Sequence, residues 1–222
     1  MKSIQLNFWS VIIIITTLAF SACNQNRKKV SDTYKNPDNV AGRVPPTGNE
    51  RTTEMGVDSM LQGESMVFKD AISPAFKQQF NQLVDAYLSM KDGFVSDNEN
   101  EIDRQATQMF SILNSMPDNL LSGEAFTYWK EKKGFLLAHL KLYKVADKDK
   151  DKRLNFVFLS TVMVKSVRAF GYTNQKLYVD YCPMANDNKG AYWLSQTKEI
   201  RNPYQGQKMP KCGEVKKELL PQ

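Results

Sequence analysis

The sequence predicts an all-α domain, an antiparallel four-helix bundle followed by an irregular C-terminal segment that carries cysteine and methionine. Two observations predict it. Between residues 73 and 171, four stretches repeat apolar residues at helical spacing and are joined by short connections. Beyond Gly171 that period stops, and proline, glycine, asparagine and aromatic residues take over.

Ser73-Pro74 supplies an N-cap and a proline at the first helical position. Phe76, Phe80, Leu83, Val84, Tyr87 and Leu88 then form one apolar stripe on a helix ending near Met90. A second helix starts near Ser96 or Asp97, turns Ile102, Ala106, Met109, Phe110 and Leu113 inward, and stops before Pro117. Ser122, Glu124 and Ala125 open a third, which continues through Phe126, Trp129, Phe135, Leu136, Leu140 and Tyr143. Gly134 lies inside it, at a cost of up to about 1 kcal/mol in helix propensity. The fourth begins between Asp149 and Asp151 and ends at Gly171, with Leu154, Val157, Phe158, Thr161, Val162 and Val167 inward. Leu177 to Tyr181 alternates weakly, like a short strand, and Cys182 to Cys212 has no regular period. A stretch of that length inside a compact domain is usually functional or pinned by cross-links.

The front of the chain reads differently. Lys2, an apolar run from Phe8 to Phe20, and small Ser21 and Ala22 before Cys23 describe an export signal too short to be a spanning helix. Phe20-Ser21-Ala22-Cys23 resembles a bacterial lipoprotein box, which implies a signal peptide over 1–22 and a lipid on Cys23. Residues 23–70 are poor in large apolar side chains and rich in turn formers, a composition that does not repay its ordering entropy, so they are expected to form a flexible tether. The remaining 71–222 make one helical domain, with 172–215 as its C-terminal loop. The expected location is the periplasmic face of a membrane, where thiols can be oxidised.

Composition excludes some functions. The net charge of +6 is spread among acids, as in Asp147-Lys148-Asp149-Lys150-Asp151-Lys152, with no basic stripe interleaved with aromatics. Nucleic acid is therefore not an expected partner. A single histidine leaves no Ser–His–acid set, and there is neither a Cys-x-x-Cys motif nor a phosphate-binding glycine loop, so no enzyme is expected. Asp147, Asp149 and Asp151 imitate the start of a calcium loop, but the glycine is missing and Phe158 holds the bidentate acid position. His139, on the third helix, is read as a packing residue before a supporting ligand.

The sulfurs carry the functional expectation. Cys182-Pro183-Met184 and Met209-Pro210-Lys211-Cys212 each place one thiol and one thioether within a turn of chain. If the intervening chain folds back, Cys182, Met184, Met209 and Cys212 converge as a thiolate–thioether set, which selects Cu(I) or Ag(I) over hard cations. Two cysteines in an exported protein also pair readily as a disulfide. Both readings stand at this point, as does a reversible version in which only the reduced pair binds metal. Trp193, Asn202 and Tyr204 are expected to anchor the loop, Asn202 by satisfying its backbone groups.

Tyr178-Val179, Cys182-Pro183-Met184-Ala185, Gly190 to Ser195, Glu199 to Tyr204, Gly206, Met209, Cys212 and Gly213 together resemble the DUF3347 family. The resemblance spans Ala71 to Val215 and is densest over the last 40 residues. Tyr87 to Asp92, and Arg153 with Phe156, Leu159 and Ser160, also fit. That family comprises exported bacterial lipoproteins and C-terminal extensions of periplasmic adaptor subunits in heavy-metal efflux. The resemblance implies a small helical domain that handles copper or silver, with the two sulfur motifs as ligands and an efflux or cuproenzyme assembly protein as partner. Gln205 stands where an aromatic is usual and Pro210 where leucine is common, departures that bear on loop packing and leave every sulfur in place.

Overall fold

A computed structural model describes Val67, Phe68 and residues 72–222. The signal peptide, Cys23 and most of the tether lie outside the described residues.

Four long helices come first. In α1 (Pro74–Val95), the Ser73 side chain accepts from the Phe76 N–H at 3.2 Å, and Pro74 occupies the first turn. The helix runs five residues beyond the end expected from sequence, burying Lys91, Phe94 and Val95 as well. Gly93 does not stop it. A Cβ there would meet the Ile102 side chain at 2.8 Å, so this glycine makes room for the second helix. In α2 (Glu99–Ser115), Asn98 caps the Glu101 N–H, with Glu99 and Glu101 in the favoured acidic first turn. A 3-10 turn at Asp118–Leu120 leads into α3 (Gly123–Lys144), and α4 (Asp149–Phe170) ends at Gly171.

Consecutive helices pack on one another, and α4 returns to α1. Phe76, Phe80, Trp129 and Phe170 form an aromatic cluster at one end, with ring centroids 4.9–5.8 Å apart. Phe68 packs onto the same end, against Tyr128 and Phe170, and its N–H donates to the Ala169 carbonyl at 2.7 Å. Phe110, Phe126, Phe135 and Phe158 are only half-buried, and Leu154 is 37% exposed. These large residues flank the stripes and close their edges.

The C-terminal part corrects the all-α expectation. The protein is mostly helical, but β1 (Leu177–Cys182), β2 (Ala191–Ser195) and β3 (Glu214–Leu219) form an antiparallel sheet in the order β2-β1-β3. Asp180 pairs with Trp193 and Cys182 with Ala191, while a bulge at Val179/Asp180 shifts the pairing with β3. Every residue of β2 is buried, so its sequence shows no alternation to betray a strand. β3 is an edge strand made largely of charged residues, a pattern that also hides a strand.

The sheet is attached to the helices at defined points. β2 packs against α4. The Leu194 N–H, on the side of β2 away from β1, donates to the Tyr87 hydroxyl at 3.2 Å, and that hydroxyl donates to Ser160 at 2.8 Å. Between β1 and β2 lies a four-residue turn, α5 (Ala185–Asn188), in which Asn186, Asp187 and Asn188 are all left-handed. Short Asx side chains tolerate that conformation better than others.

Candidate functional site

The chain from Cys182 to Cys212 closes on itself. Cys182, at the end of β1, and Cys212, 30 positions later, bring their Sγ atoms to 2.9 Å. Cys182 is fully buried and Cys212 half-buried, and both are free thiols. The Cys212 thiol is pushed up to about 11, first by the Cys182 thiol against it and then by burial.

This approach depends on the next residue. Gly213 has φ 138°, and a Cβ there would come within 2.8 Å of both the Trp193 ring and the Tyr181 carbonyl. Glycine alone lets the strand leading from Cys212 run this close beside β1.

Asn202 holds the loop from within. Fully buried, its side chain donates to the Cys212 carbonyl at 2.7 Å and accepts from the N–H groups of Tyr204 at 2.8 Å and Gln205 at 3.1 Å. Its own N–H donates to the Pro210 carbonyl at 2.8 Å. Tyr204 is buried edge-on to Trp193 with centroids 5.7 Å apart, its hydroxyl donating to the Tyr192 carbonyl. Trp193 is fully buried. All three residues expected from sequence to anchor the loop thus lie inside it.

The helices grip the same loop through Arg153, which sequence reasoning noted only for its resemblance. From the start of α4, its guanidinium donates to the carbonyls of Phe94 at 3.2 Å and of Pro203, and to the carboxylates of Asp149 at 2.8 Å and of Asp97. It also lies 5.3 Å from the centre of the Phe94 ring. Asp97 in turn accepts from the Gln207 N–H at 3.1 Å, and a Cβ on Gly206 would collide with its carboxylate. The signal for this hub was a run of charges around Asp149 and Arg153, which sequence alone reads as a solvated helix start.

The methionines are placed less centrally than the cysteines. Met184 is 48% exposed and lines a cleft of about 710 Å³ together with Asp97, Arg153, Leu154, Tyr204 and Lys208. Met209 is half-buried, and its carbonyl accepts from the Cys212 N–H at 3.2 Å in a tight turn. His139 is buried between α3 and α4, with Nδ1 3.1 Å from the Asn155 side-chain oxygen and its ring stacked on Phe158. Burial lowers its pKa, and the Asn155 bond opposes the shift.

A different buried group went unnoticed in the sequence. Asp180, on β1, is fully buried, and neither carboxylate oxygen has a hydrogen-bond partner among the described residues. Burial raises its pKa to about 7, opposed by the Lys91 charge and the neighbouring Trp193 indole. The fully polar triplet Asp-x-Asp runs elsewhere drew attention to exposed acids, whereas this one sits singly between apolar neighbours.

No curated protein and no solved structure matches the chain. A family described as a protein of unknown function, DUF3347, matches residues 83–175. That segment runs from within α1 to just past α4, so the matched part is the helical one, and the sulfur loop lies beyond it. The resemblance to the DUF3347 family is thus borne out over residues 83–175, the helical part of the chain.

Proposed function

We propose that the chain is an exported lipoprotein that binds Cu(I) or Ag(I) at its Cys182/Cys212 dithiol while the pair is reduced. Cys23 carries the lipid, residues 23–70 tether the domain at the periplasmic face, and the long helices form an antiparallel four-helix bundle that presents the loop. The metal is cargo, sequestered or passed to an efflux or cuproenzyme assembly protein, and no catalysis is involved.

The observation that carries this reading is the 2.9 Å approach of two thiols from opposite ends of a 30-residue excursion. Two thiolates sharing one ion, with metal–sulfur bonds of about 2.3 Å at a tetrahedral angle, stand about 3.8 Å apart. A disulfide holds its sulfurs about 2.05 Å apart. The pair lies roughly midway, within about 1 Å of either state, which suits a site that binds metal when reduced and closes when oxidised. Met184 and Met209, each in the same short segment as a cysteine, supply the third and fourth soft ligands.

The alternative is an interaction module in which Cys182–Cys212 is a permanent bridge and the aromatic loop is the binding face. The raised Cys212 thiol favours permanent closure, because metal must displace its proton. Burial of Tyr192, Trp193 and Tyr204 weighs against an aromatic binding face.

Competition titration with a Cu(I) chelator on the Met184→Leu/Met209→Leu pair tests the ligand set. Loss of tight binding with the fold intact supports four sulfurs. Unchanged binding assigns the ion to the cysteines alone, and no binding by the reduced wild type refutes the metal reading.

A further inference from the structure

The geometry points to Arg153 and Asn202 as positioning residues for the thiol pair, linking the helical body to the spacing between Cys182 and Cys212. Two neighbouring residues of the loop are held from opposite sides. Arg153 binds the Pro203 carbonyl, and its remaining donors are fixed on Phe94, Asp97 and Asp149, on and around the ends of α1 and α4. One residue earlier, Asn202 reaches forward to the Cys212 carbonyl at 2.7 Å and ties down the Pro210 carbonyl at 2.8 Å. Cys182 is fixed independently, as the last residue of the central strand. The distance between the sulfurs is therefore set by a path from α4 through Arg153, Pro203 and Asn202 to Cys212.

This path matters for the chemistry of the pair. Oxidation by glutathione disulfide forms one protein S–S bond and releases two glutathione thiols, with two electrons passing from the protein to glutathione. Its equilibrium constant measures the effective concentration of one cysteine at the other, which depends on how well native structure holds them together. A guanidinium satisfies several acceptors in one plane, whereas an ammonium at the same place acts as a point charge. Arg153→Lys thus keeps the charge beside Asp97 and Asp149 but loses the bridge to the carbonyls. Asn202→Asp is more selective. It keeps the acceptor for the Tyr204 and Gln205 N–H groups and replaces the donor to Cys212 by a carboxylate oxygen that repels that carbonyl.

The inference rests on the dithiol reading above, and the experiment separates the two. The full chain carrying Cys23→Ser is equilibrated in glutathione buffers, and oxidised and reduced forms are quantified by thiol alkylation and mass. Arg153→Lys, Asn202→Asp and a distant destabilising control, Phe80→Leu, are measured alongside, with circular dichroism verifying the fold. The expected result is a drop of at least tenfold in the equilibrium constant for both loop variants, about 30 mV for this two-electron couple, with the control within twofold of wild type. Equal constants in all four proteins overturn the proposal, as does a matching drop in the control. If Asn202→Asp does not fold, Arg153→Lys decides alone. A wild-type pair that stays reduced in every buffer overturns this proposal alone, whereas failure of the reduced wild type to bind Cu(I) overturns the dithiol reading on which it rests.

Discussion

Asp180 and Trp193 face one another across β1 and β2, both fully buried, with the carboxylate oxygens and the indole N–H lacking hydrogen-bond partners among the described residues. A carboxylate in that setting is costly in its charged form, which is why burial raises its pKa to about 7 from an ordinary value near 3.8. Between those two values the folded protein binds a proton that the unfolded chain has released. Stability therefore falls as pH rises from about 4 to about 7, and the loss is complete above the folded pKa. Asp180→Asn removes this dependence. The variant is expected to gain stability over wild type at pH 8 by a few kcal/mol and to lose that advantage at pH 4, read by urea unfolding at both values. A gain of equal size at both pH values would contradict the assignment.

Gly213→Ala should harm both fold and thiol pairing. The added Cβ meets the Trp193 ring and the Tyr181 carbonyl at 2.8 Å, and φ 138° is strained for alanine. The expected cost is about 2–4 kcal/mol, measured as a lower thermal midpoint. Slower closure of the Cys182–Cys212 bond in air accompanies it.

Tyr87→Phe tests how the sheet is fastened. It deletes the acceptor of the buried Leu194 N–H and the donor to Ser160. Leaving such a group unpaired costs about 1–3 kcal/mol, so the unfolding free energy from denaturant titration should fall by that amount. Amide exchange at Leu194 should accelerate more than exchange in α2.

Apparent Cu(I) affinity should climb with pH across the range 6 to 9. The Cys212 thiol is held up to about 11 by its neighbour, so it remains protonated throughout that range and the ion must displace its proton. Each proton released per ion bound contributes about tenfold in affinity per pH unit. A flat profile would mean that the cysteines are not the ligands.

The helices were legible because their signals are local. Ser73-Pro74 states a helix start, and the stripe from Phe76 to Leu88 states its buried face. α1 runs past the end expected near Met90, and the role of Gly93 there, admitting Ile102, involves a residue on the next helix. The sheet was hidden for the same kind of reason. β2 is buried throughout and does not alternate, and β3 is recognisable only beside β1. In the site, Cys182, Cys212, Trp193, Asn202 and Tyr204 stood out by residue type and spacing. Arg153 and Asp180 did not, since the importance of each comes from partners 50 or more positions away or from the absence of any hydrogen-bond partner among the described residues.

The most direct test is Cu(I) titration against a competing chelator, run on reduced and oxidised protein with thiols counted in each. The account predicts one tightly bound ion per chain when Cys182 and Cys212 are free, and none after they are joined. Failure of the reduced protein to bind, or equal binding in both states, would contradict it.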